Sequence, residues 1–307
     1  MKIIEVNNLT KDYGHGRGIF DVDFYVNKGE TLGFLGPNGA GKSTTMRHLM
    51  GFSKPQKGST TINGLDCTDK HYELLKDVGY LPGEVAIPEG LTGNGFIKMM
   101  QDMRGIRDEK RVKYLLERFQ LDPSGLVKRM SIGEKRKLAI VTAFMSDPDV
   151  LLLDEPTSGL DPVMQETFIE FIRDEKKKGK TILLSSHIFS EVEALCDRIA
   201  IIKDGKLISI VDAADIKHGL KNIFTIEFDS ESDYKIFMES GIEIEESDEK
   251  KKICEVIVPD EKTNLFLTAL SKIRVRELRE HSVSLEEYFM HFYKNEKTFS
   301  VGGVVNA

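Results

Sequence analysis

Gly36-Pro37-Asn38-Gly39-Ala40-Gly41-Lys42-Ser43 constrains this chain more than any other stretch. It fits G-x-x-x-x-G-K-[ST], a loop that cradles phosphate groups. Thr31 to Leu35, just before it, read as a short buried strand. Thr44 to Met50, just after it, read as a helix closed by Gly51. That strand–turn–helix context is what the motif requires. Its glycines let backbone N–H groups turn inward as an anion nest, and the helix N-terminus adds its positive dipole. Lys42 would reach the β- and γ-phosphates of a nucleotide, and the Ser43 hydroxyl would sit on Mg²⁺. The competing reading is a glycine-rich turn with an accidental lysine. Four fixed positions coincide by chance in roughly 1% of chains this long, and the flanking elements lower that further.

The chain has 307 residues, room for two domains or one large one. At 40% hydrophobic and 30% charged residues it can bury a sizeable core. A net charge of −7 speaks against a nucleic-acid partner, which usually meets a basic footprint. Cys67, Cys196 and Cys254 are scattered, with no C-x-x-C pair, so neither a zinc site nor a disulfide framework is indicated. A reducing cytosol is the simplest setting. Met1 to Glu5 lack the apolar region of a signal peptide. No apolar run approaches the ~18–20 residues a bilayer span needs, so work at a membrane would require another chain to supply the span.

Residues 3–6, 19–26 and 58–64 carry short strand-like runs, the last as an edge strand, and suggest a small antiparallel layer. Residues 70–77 read as a helix, and Val78 to Leu81 as a strand ended by Pro82-Gly83. The pattern then turns helical from Thr92 to about Gln120. Val112, Leu115, Leu116 and Phe119 form a one-faced stripe, with Asp108 as N-cap. A further helical stretch runs to Met145. Val150 to Leu153 are an apolar strand closed by Asp154-Glu155. Asp161-Pro162 open a helix that stops at Gly179. Thr181 to Leu184 form a strand ending at Ser185-Ser186-His187. Asp204-Gly205 turn a hairpin between two last strands. Strands alternating with helices over residues 31–202 indicate a parallel α/β sheet, whose ligands bind at the carboxyl ends of the strands. Gly36, Asp154, Glu155 and His187 all fall at such ends.

After about Asp212 the character changes. Phe224, Ile226 and Phe228 alternate as in a strand, and so do Cys254, Val256 and Val258, with a polar turn at residues 247–252. Ser284 to Glu287 form a capping box opening a helix whose stripe is Leu285, Tyr288, Phe289 and Phe292. The expected organisation is a nucleotide-binding domain over 1–212, with a helical subdomain at about 84–146. A small α+β domain over 216–295 and a flexible tail over 296–307 follow.

Asp154 is the Mg²⁺ partner expected behind such a loop, and Glu155 the general base or orienter for an attacking water. Alone, the pair equally marks a strand end. His187 could hydrogen-bond a γ-phosphate or that water, although a lone histidine is more often structural. Asp161 serves as a helix N-cap whatever else it does. Tyr13, at the edge of a glycine-rich turn, could stack on adenine, though an isolated turn tyrosine carries little weight.

Together these residues resemble the ATP-binding subunit of ABC transporters. The glycine-rich loop is similar to that family's Walker A. Val150 to Glu155 resemble its Walker B with the catalytic glutamate. Ser158-Gly159-Leu160-Asp161 match its D-loop, His187 its switch histidine, Tyr13 its adenine-stacking aromatic, and Met130 to Glu134 its LSGGQ signature. The order and spacing agree from residue 1 to about 212. The resemblance implies a P-loop NTPase with a RecA-like core, an antiparallel β layer and a helical subdomain. It implies ATP held by Tyr13, Gly36, Pro37, Asn38, Gly39, Ala40, Gly41, Lys42, Ser43 and Thr44, with Mg²⁺ on Ser43 and Asp154. Glu155, His187 and Lys42 would carry the hydrolysis.

Two such subunits, identical or paralogous, would face head to tail, with Ser131, Gly133 and Glu134 of one reaching the ATP of the other. A transmembrane permease would hold the pair on the cytoplasmic face of the cell membrane. Two positions depart from the pattern. Ile132 and Glu134 stand where the signature has Gly and Gln, and Gly83 followed by Glu84 occupies the Q-loop where a glutamine is expected. The C-terminal part resembles that of ABC-2-type exporter ATPases, including antibiotic self-resistance systems. A soluble ABC ATPase acting on ribosomes or DNA, and a regulatory ATP binder with little turnover, are the other readings. The first of these usually carries two ATP-binding units or a long coiled-coil insertion, and this chain has neither.

Overall fold

The computed structural model describes residues 1–214, 222–258 and 262–281, together with Leu285 and Phe289. The chain divides into two units at Ala213/Ala214. The first opens with β1 (Lys2–Asp12), β2 (Gly18–Asn27) and β3 (Thr31–Leu35), then α1 (Lys42–Leu49), β4 (Lys57–Ile62), β5 (Leu65–Asp66), α2 (His71–Asp77) and β6 (Val78–Leu81). Three helices follow, α3 (Gly93–Arg104), α4 (Lys110–Arg118) and α5 (Ile132–Phe144). The unit closes with β7 (Val150–Asp154), α6 (Pro162–Lys177), β8 (Thr181–Ser186), α7 (Phe189–Leu195), β9 (Arg198–Lys203) and β10 (Lys206–Asp212).

Strands β3, β7 and β8 are buried along their whole length. A strand with no exposed face belongs in a sheet covered on both sides, the usual setting of parallel strands. These three lie at the centre of a six-stranded sheet of order β10-β9-β3-β8-β7-β6. Every neighbouring pair is parallel except the β9–β10 hairpin. A second, antiparallel sheet of order β2-β1-β4-β5 packs against it with α1 between, and Phe24 of one meets Phe34 of the other at 5.2 Å. The strand over 57–62 is not the edge: the two-residue β5 is, because the chain turns back at Asn63-Gly64 and pairs once more.

The helical segment is tied to the sheet layer in two ways. Phe119, Phe144, Phe168 and Phe171 interlock across α4, α5 and α6, the closest pair being Phe144–Phe171 at 4.9 Å. Beside them the fully buried Glu175 carboxylate receives Arg111 of α4 at 2.8 Å and Lys180 at 2.9 Å. Burial alone would raise the Glu175 carboxyl, but Lys178, Arg111 and Lys180 outweigh it and hold it below its ordinary value. The Asp108 carboxylate accepts the Lys110 N–H at 2.9 Å, an N-cap bond of the usual kind, since Glu109 already has helical dihedrals and extends the first turn by one residue.

The second unit carries β11 (Asn222–Phe228), α8 (Glu231–Met238), β12 (Ile244–Asp248), β13 (Ile253–Val258), α9 (Thr263–Leu270) and β14 (Val275–His281). Its sheet is antiparallel with order β12-β13-β11-β14, the split β-α-β-β-α-β arrangement. Ile226, Phe228, Cys254, Val256 and Val258 point into a core closed by Tyr234, Phe237 and Phe266. The turn read over 247–252 is shorter. Ser247 and Asp248 pair with Cys254 and Ile253, since ladder bonds use backbone groups and accept polar side chains. Leu285 and Phe289 are buried. The rest of the capping box and its helix, and the tail over 296–307, lie outside the described residues.

Candidate nucleotide site

The anion cradle forms where β3 runs out and α1 begins. Gly41 is the N-cap of α1 at φ 111°, and no side chain caps the helix. A Cβ there would stand 2.5 Å from Ile19 Cγ2, so both the backbone conformation and the space demand glycine. The first-turn N–H groups of α1 are thus left for a ligand. A cleft of about 490 Å³ opens over them. It is lined by Tyr13, Asn38, Gly39, Gly41, Lys42, Ser43, Thr44 and Glu155, and also by Gly16, Arg17, Gly18 and Asp204. Gly36, Pro37 and Ala40 complete the loop behind that surface. Arg17 was not singled out in the sequence, and Asp204 was read only as a hairpin-turn residue. Asp204 arrives because the β9–β10 turn docks on the loop, Gly205 N–H donating to Ala40 O at 3.0 Å. Nothing local in the sequence announces that contact.

Lys42 is 4% exposed and donates to the carbonyls of Gly36 and Pro37, at 2.6 and 3.1 Å. Its Nζ also stands 3.3 Å from Glu155 Oε1. The other carboxylate oxygen, Oε2, lies 3.1 Å from Nδ1 of His187, which is half exposed. One carboxylate at the tip of β7 is therefore gripped from the loop on one side and from the tip of β8 on the other. Glu155 has a left-handed backbone, φ 45°, rare for a side chain of its size. Asp154, one residue back, is 2% exposed and accepts the Ser185 hydroxyl through Oδ1. A Cβ at Gly83 would approach its Oδ2 to 3.1 Å, so glycine keeps that oxygen clear. Glu84 is exposed. The Ser43 hydroxyl and the Asp154 carboxylate are hard oxygen donors that fit Mg²⁺, a cation that takes one or two protein ligands and fills its shell with phosphate and water.

Ser131, Gly133 and Glu134 do not line this cleft. Ser131 is the N-cap of α5, and with Glu134 it builds a capping box. Glu134 accepts the Ser131 N–H at 2.8 Å and its hydroxyl at 2.8 Å, while Ser131 Oγ accepts the Glu134 N–H at 3.2 Å. The backbone bond first, then the hydroxyl, holds the Glu134 carboxyl below its ordinary value. Ser-Ile-Gly-Glu is a capping-box pattern in plain view in the sequence, one that glutamate or glutamine at its last position completes. Within the chain this turn abuts Ser158-Gly159-Leu160-Asp161: a Cβ on Gly159 would come within 2.8 Å of Ile132 Cγ2. Asp161 caps α6, accepting the Met164 N–H at 3.0 Å.

Two buried charged side chains beneath the site were missed. Glu191 is 4% exposed and accepts the hydroxyls of Ser186, at 2.7 Å, and of Thr157. Burial raises its carboxyl, against the Ser186 hydrogen bond. Arg136 is 2% exposed, and burial pushes its guanidinium down to about 10 despite nearby Asp154, Glu155 and Glu191. In sequence it sits within Lys135-Arg136-Lys137 and reads as a solvated face. Periodicity gives little signal, because α5 is buried on every side from Leu138 to Phe144; what the sequence offers is that Arg136 comes just before that apolar run.

A parallel sheet with a phosphate-cradling loop at its central strand end, and a carboxylate held over that loop, define a P-loop nucleotide-binding protein. Residues 19–158 match the ABC transporter family. Over 304 residues the chain is 34% identical to the uncharacterized ABC transporter ATP-binding protein YhcH of Bacillus subtilis, covering 94% of this chain and 95% of that one. It is 32% identical to the bacitracin transport ATP-binding protein BcrA of Bacillus licheniformis, covering 79% of this chain and 80% of the relative. Among solved structures it resembles an ATP-binding subunit of an ABC transporter, with TM-score 0.65 and 33% identity over 70% of this chain and 92% of that one. The chain belongs to the ABC transporter ATP-binding proteins.

Proposed function

We propose that this protein hydrolyses ATP to drive a separate transmembrane permease, as one of two ATP-binding subunits closing head to tail around the nucleotide. The observation that carries this reading is the grip of Lys42 and His187 on the Glu155 carboxylate at the edge of the cleft. The loop N–H groups and the α1 dipole cradle the phosphates, and Tyr13 stacks on adenine. Lys42 exchanges its carbonyl and carboxylate partners for phosphate oxygens. Glu155 takes a proton from the attacking water as the water oxygen bonds to the γ-phosphorus and the bond to ADP breaks. Through Nδ1, His187 keeps that carboxylate aimed. Ser43 and Asp154 would hold Mg²⁺, which neutralises charge on the transferring phosphoryl group.

Ser131 and Gly133 of the second subunit, at the N-terminus of its α5, add donors for the γ-phosphate. The Ser131 hydroxyl then turns away from Glu134. Ser158 and Asp161 border the same face, and Gly83 with Glu84 relays movement from the permease. An export role is supported by the bacitracin transport relative. Among the described residues no helix is long and apolar enough to cross a membrane, in keeping with a cytoplasmic position against a permease. The test is size exclusion with light scattering on Glu155→Gln with and without Mg-ATP. An ATP-dependent dimer is expected, and a monomer that binds ATP without pairing would overturn the head-to-tail reading for the isolated subunit.

A further inference from the structure

Glu155 holds a backbone conformation that a glutamate adopts only under constraint. Ser185 takes its N–H and the Ser158 N–H reaches its carbonyl, and the carbonyls around it converge on one side chain. Arg136, the fifth residue of α5, sends its guanidinium to the carboxyl end of β7 and to the Pro82-Gly83 loop. Nε donates to Pro156 O at 2.9 Å, and Nη2 to Asp154 O at 3.1 Å and to Glu155 O. Nη1 donates to Pro82 O and, at 3.3 Å, to Gly83 O. A guanidinium has five N–H groups, and here five carbonyls take them. Successive carbonyls of an extended strand point to alternate sides and could not converge on one cation. At Glu155, φ 45° breaks that alternation and turns the carbonyls of residues 154, 155 and 156 to a common focus. A neutral side chain could not satisfy that focus, and a lysine ammonium, with three donors, could satisfy it only in part.

We infer that Arg136 is a positioning residue for hydrolysis: it fixes the left-handed turn that aims the Glu155 carboxylate and ties it to the signature helix and to the Pro82-Gly83 loop. The inference rests on Glu155 being the base, as proposed above. It also gives the missing Q-loop glutamine a physical counterpart, since the loop at Gly83 reaches the catalytic strand through its backbone and this arginine.

Steady-state turnover, ATP affinity and thermal midpoint of the full chain decide it, for Arg136→Lys, Glu155→Gln and the double variant. Arg136→Lys should bind ATP as the wild type does and lose about 10²-fold in kcat, the scale of a misplaced catalytic group. In the Glu155→Gln background the same change should cost nothing further in single-turnover rate. Wild-type kcat in Arg136→Lys with Glu155→Gln inactive overturns the inference alone. So does a fall in ATP affinity and thermal midpoint that accounts for the lost rate, or a double variant slower by the product of the two effects. Normal turnover in Glu155→Gln overturns the parent reading as well. A measurement on wild type needs no variant to fold: the Arg136 N–H resonances should exchange slowly with water, and fast exchange would sink the geometry.

Discussion

The two units of this chain fill their cores with different chemistry. Every buried charged side chain among the described residues lies before residue 192: Glu30, Lys42, Arg136, Asp154, Glu175, Lys180 and Glu191. The core of the second unit is aliphatic and aromatic, with one buried cysteine and a tyrosine. Burying a charge costs free energy unless it is paired and hydrogen-bonded. A fold assembled for stability alone would avoid most of those side chains, as the second unit does. The backbone shows the same contrast. Eight non-glycine residues with positive φ lie in the first unit, Glu155 among them, against Lys252 alone in the described part of the second. Buried Lys42, Asp154 and Arg136 lie beside Glu155, whose own backbone is left-handed, whereas Glu175 and Lys180 tie the helical segment.

That contrast can be broken in order of expected effect. Glu155→Gln should lower kcat by about 10²–10⁴-fold, the usual worth of a general base, with the melting temperature unchanged in calorimetry. A large stability change instead would make Glu155 a structural residue like its buried neighbours. Next, Phe237→Ala, in the second core, should cost about 3–5 kcal/mol by leaving a cavity. Calorimetry should show the loss in one transition, with ATP affinity intact. A parallel loss of ATP binding would mean the units do not act separately.

Glu175→Gln should cost about 1.5–3 kcal/mol at neutral pH, since it removes the buried charge that Arg111 and Lys180 share and leaves them the more exposed Asp147. The folded-state carboxyl lies below its ordinary value of 4.5. Its contribution is therefore present above that pH and is lost as pH falls through the folded-state value. Urea titrations should show wild type and variant converging below about pH 4.5. A gap independent of pH would assign the effect to packing. The smallest test compares matched caps. Ser131 accepts the Glu134 N–H at 3.2 Å and Ser230 accepts the Asp233 N–H at 3.1 Å. Replacing either by Ala should cost about 1 kcal/mol in stability. Only Ser131→Ala should also slow turnover, and equal turnover in the two would confine Ser131 to capping.

Local chemistry was legible wherever a few adjacent residues impose it. The phosphate loop could be read because glycine at positive φ, a preceding buried strand and a following helix are consecutive in the chain. Apolar runs such as Val150 to Leu153 had to become covered strands, and Asp161-Pro162 had to start a helix. Parallel pairing then puts Gly36, Glu155 and His187 at one end of the sheet, which topology implies without coordinates. The elements that went unread were short or without clear alternation: the two-residue β5, the polar β12, the heavily charged β14 and the helices α7, α8 and α9, of seven or eight residues each. Propensity over so few residues is too weak to outweigh packing.

What only the tertiary structure decided are the contacts between distant segments. Asp204 reached the cleft through a hairpin turn docked on Ala40. Glu191 found Thr157 and Ser186 across a helix boundary. Arg136, indistinguishable by composition from the lysines beside it, became a buried cation with its N–H groups taken by carbonyls at the end of β7 and in the Pro82-Gly83 loop. The sequence determined which groups are chemically able to bind phosphate and move a proton. Their mutual distances, and the backbone twist at Glu155, depend on carbonyls more than fifty residues apart meeting at one guanidinium. No local pattern encodes that meeting, because the free energy that drives it exists only once the sheet and the helical segment have closed over it.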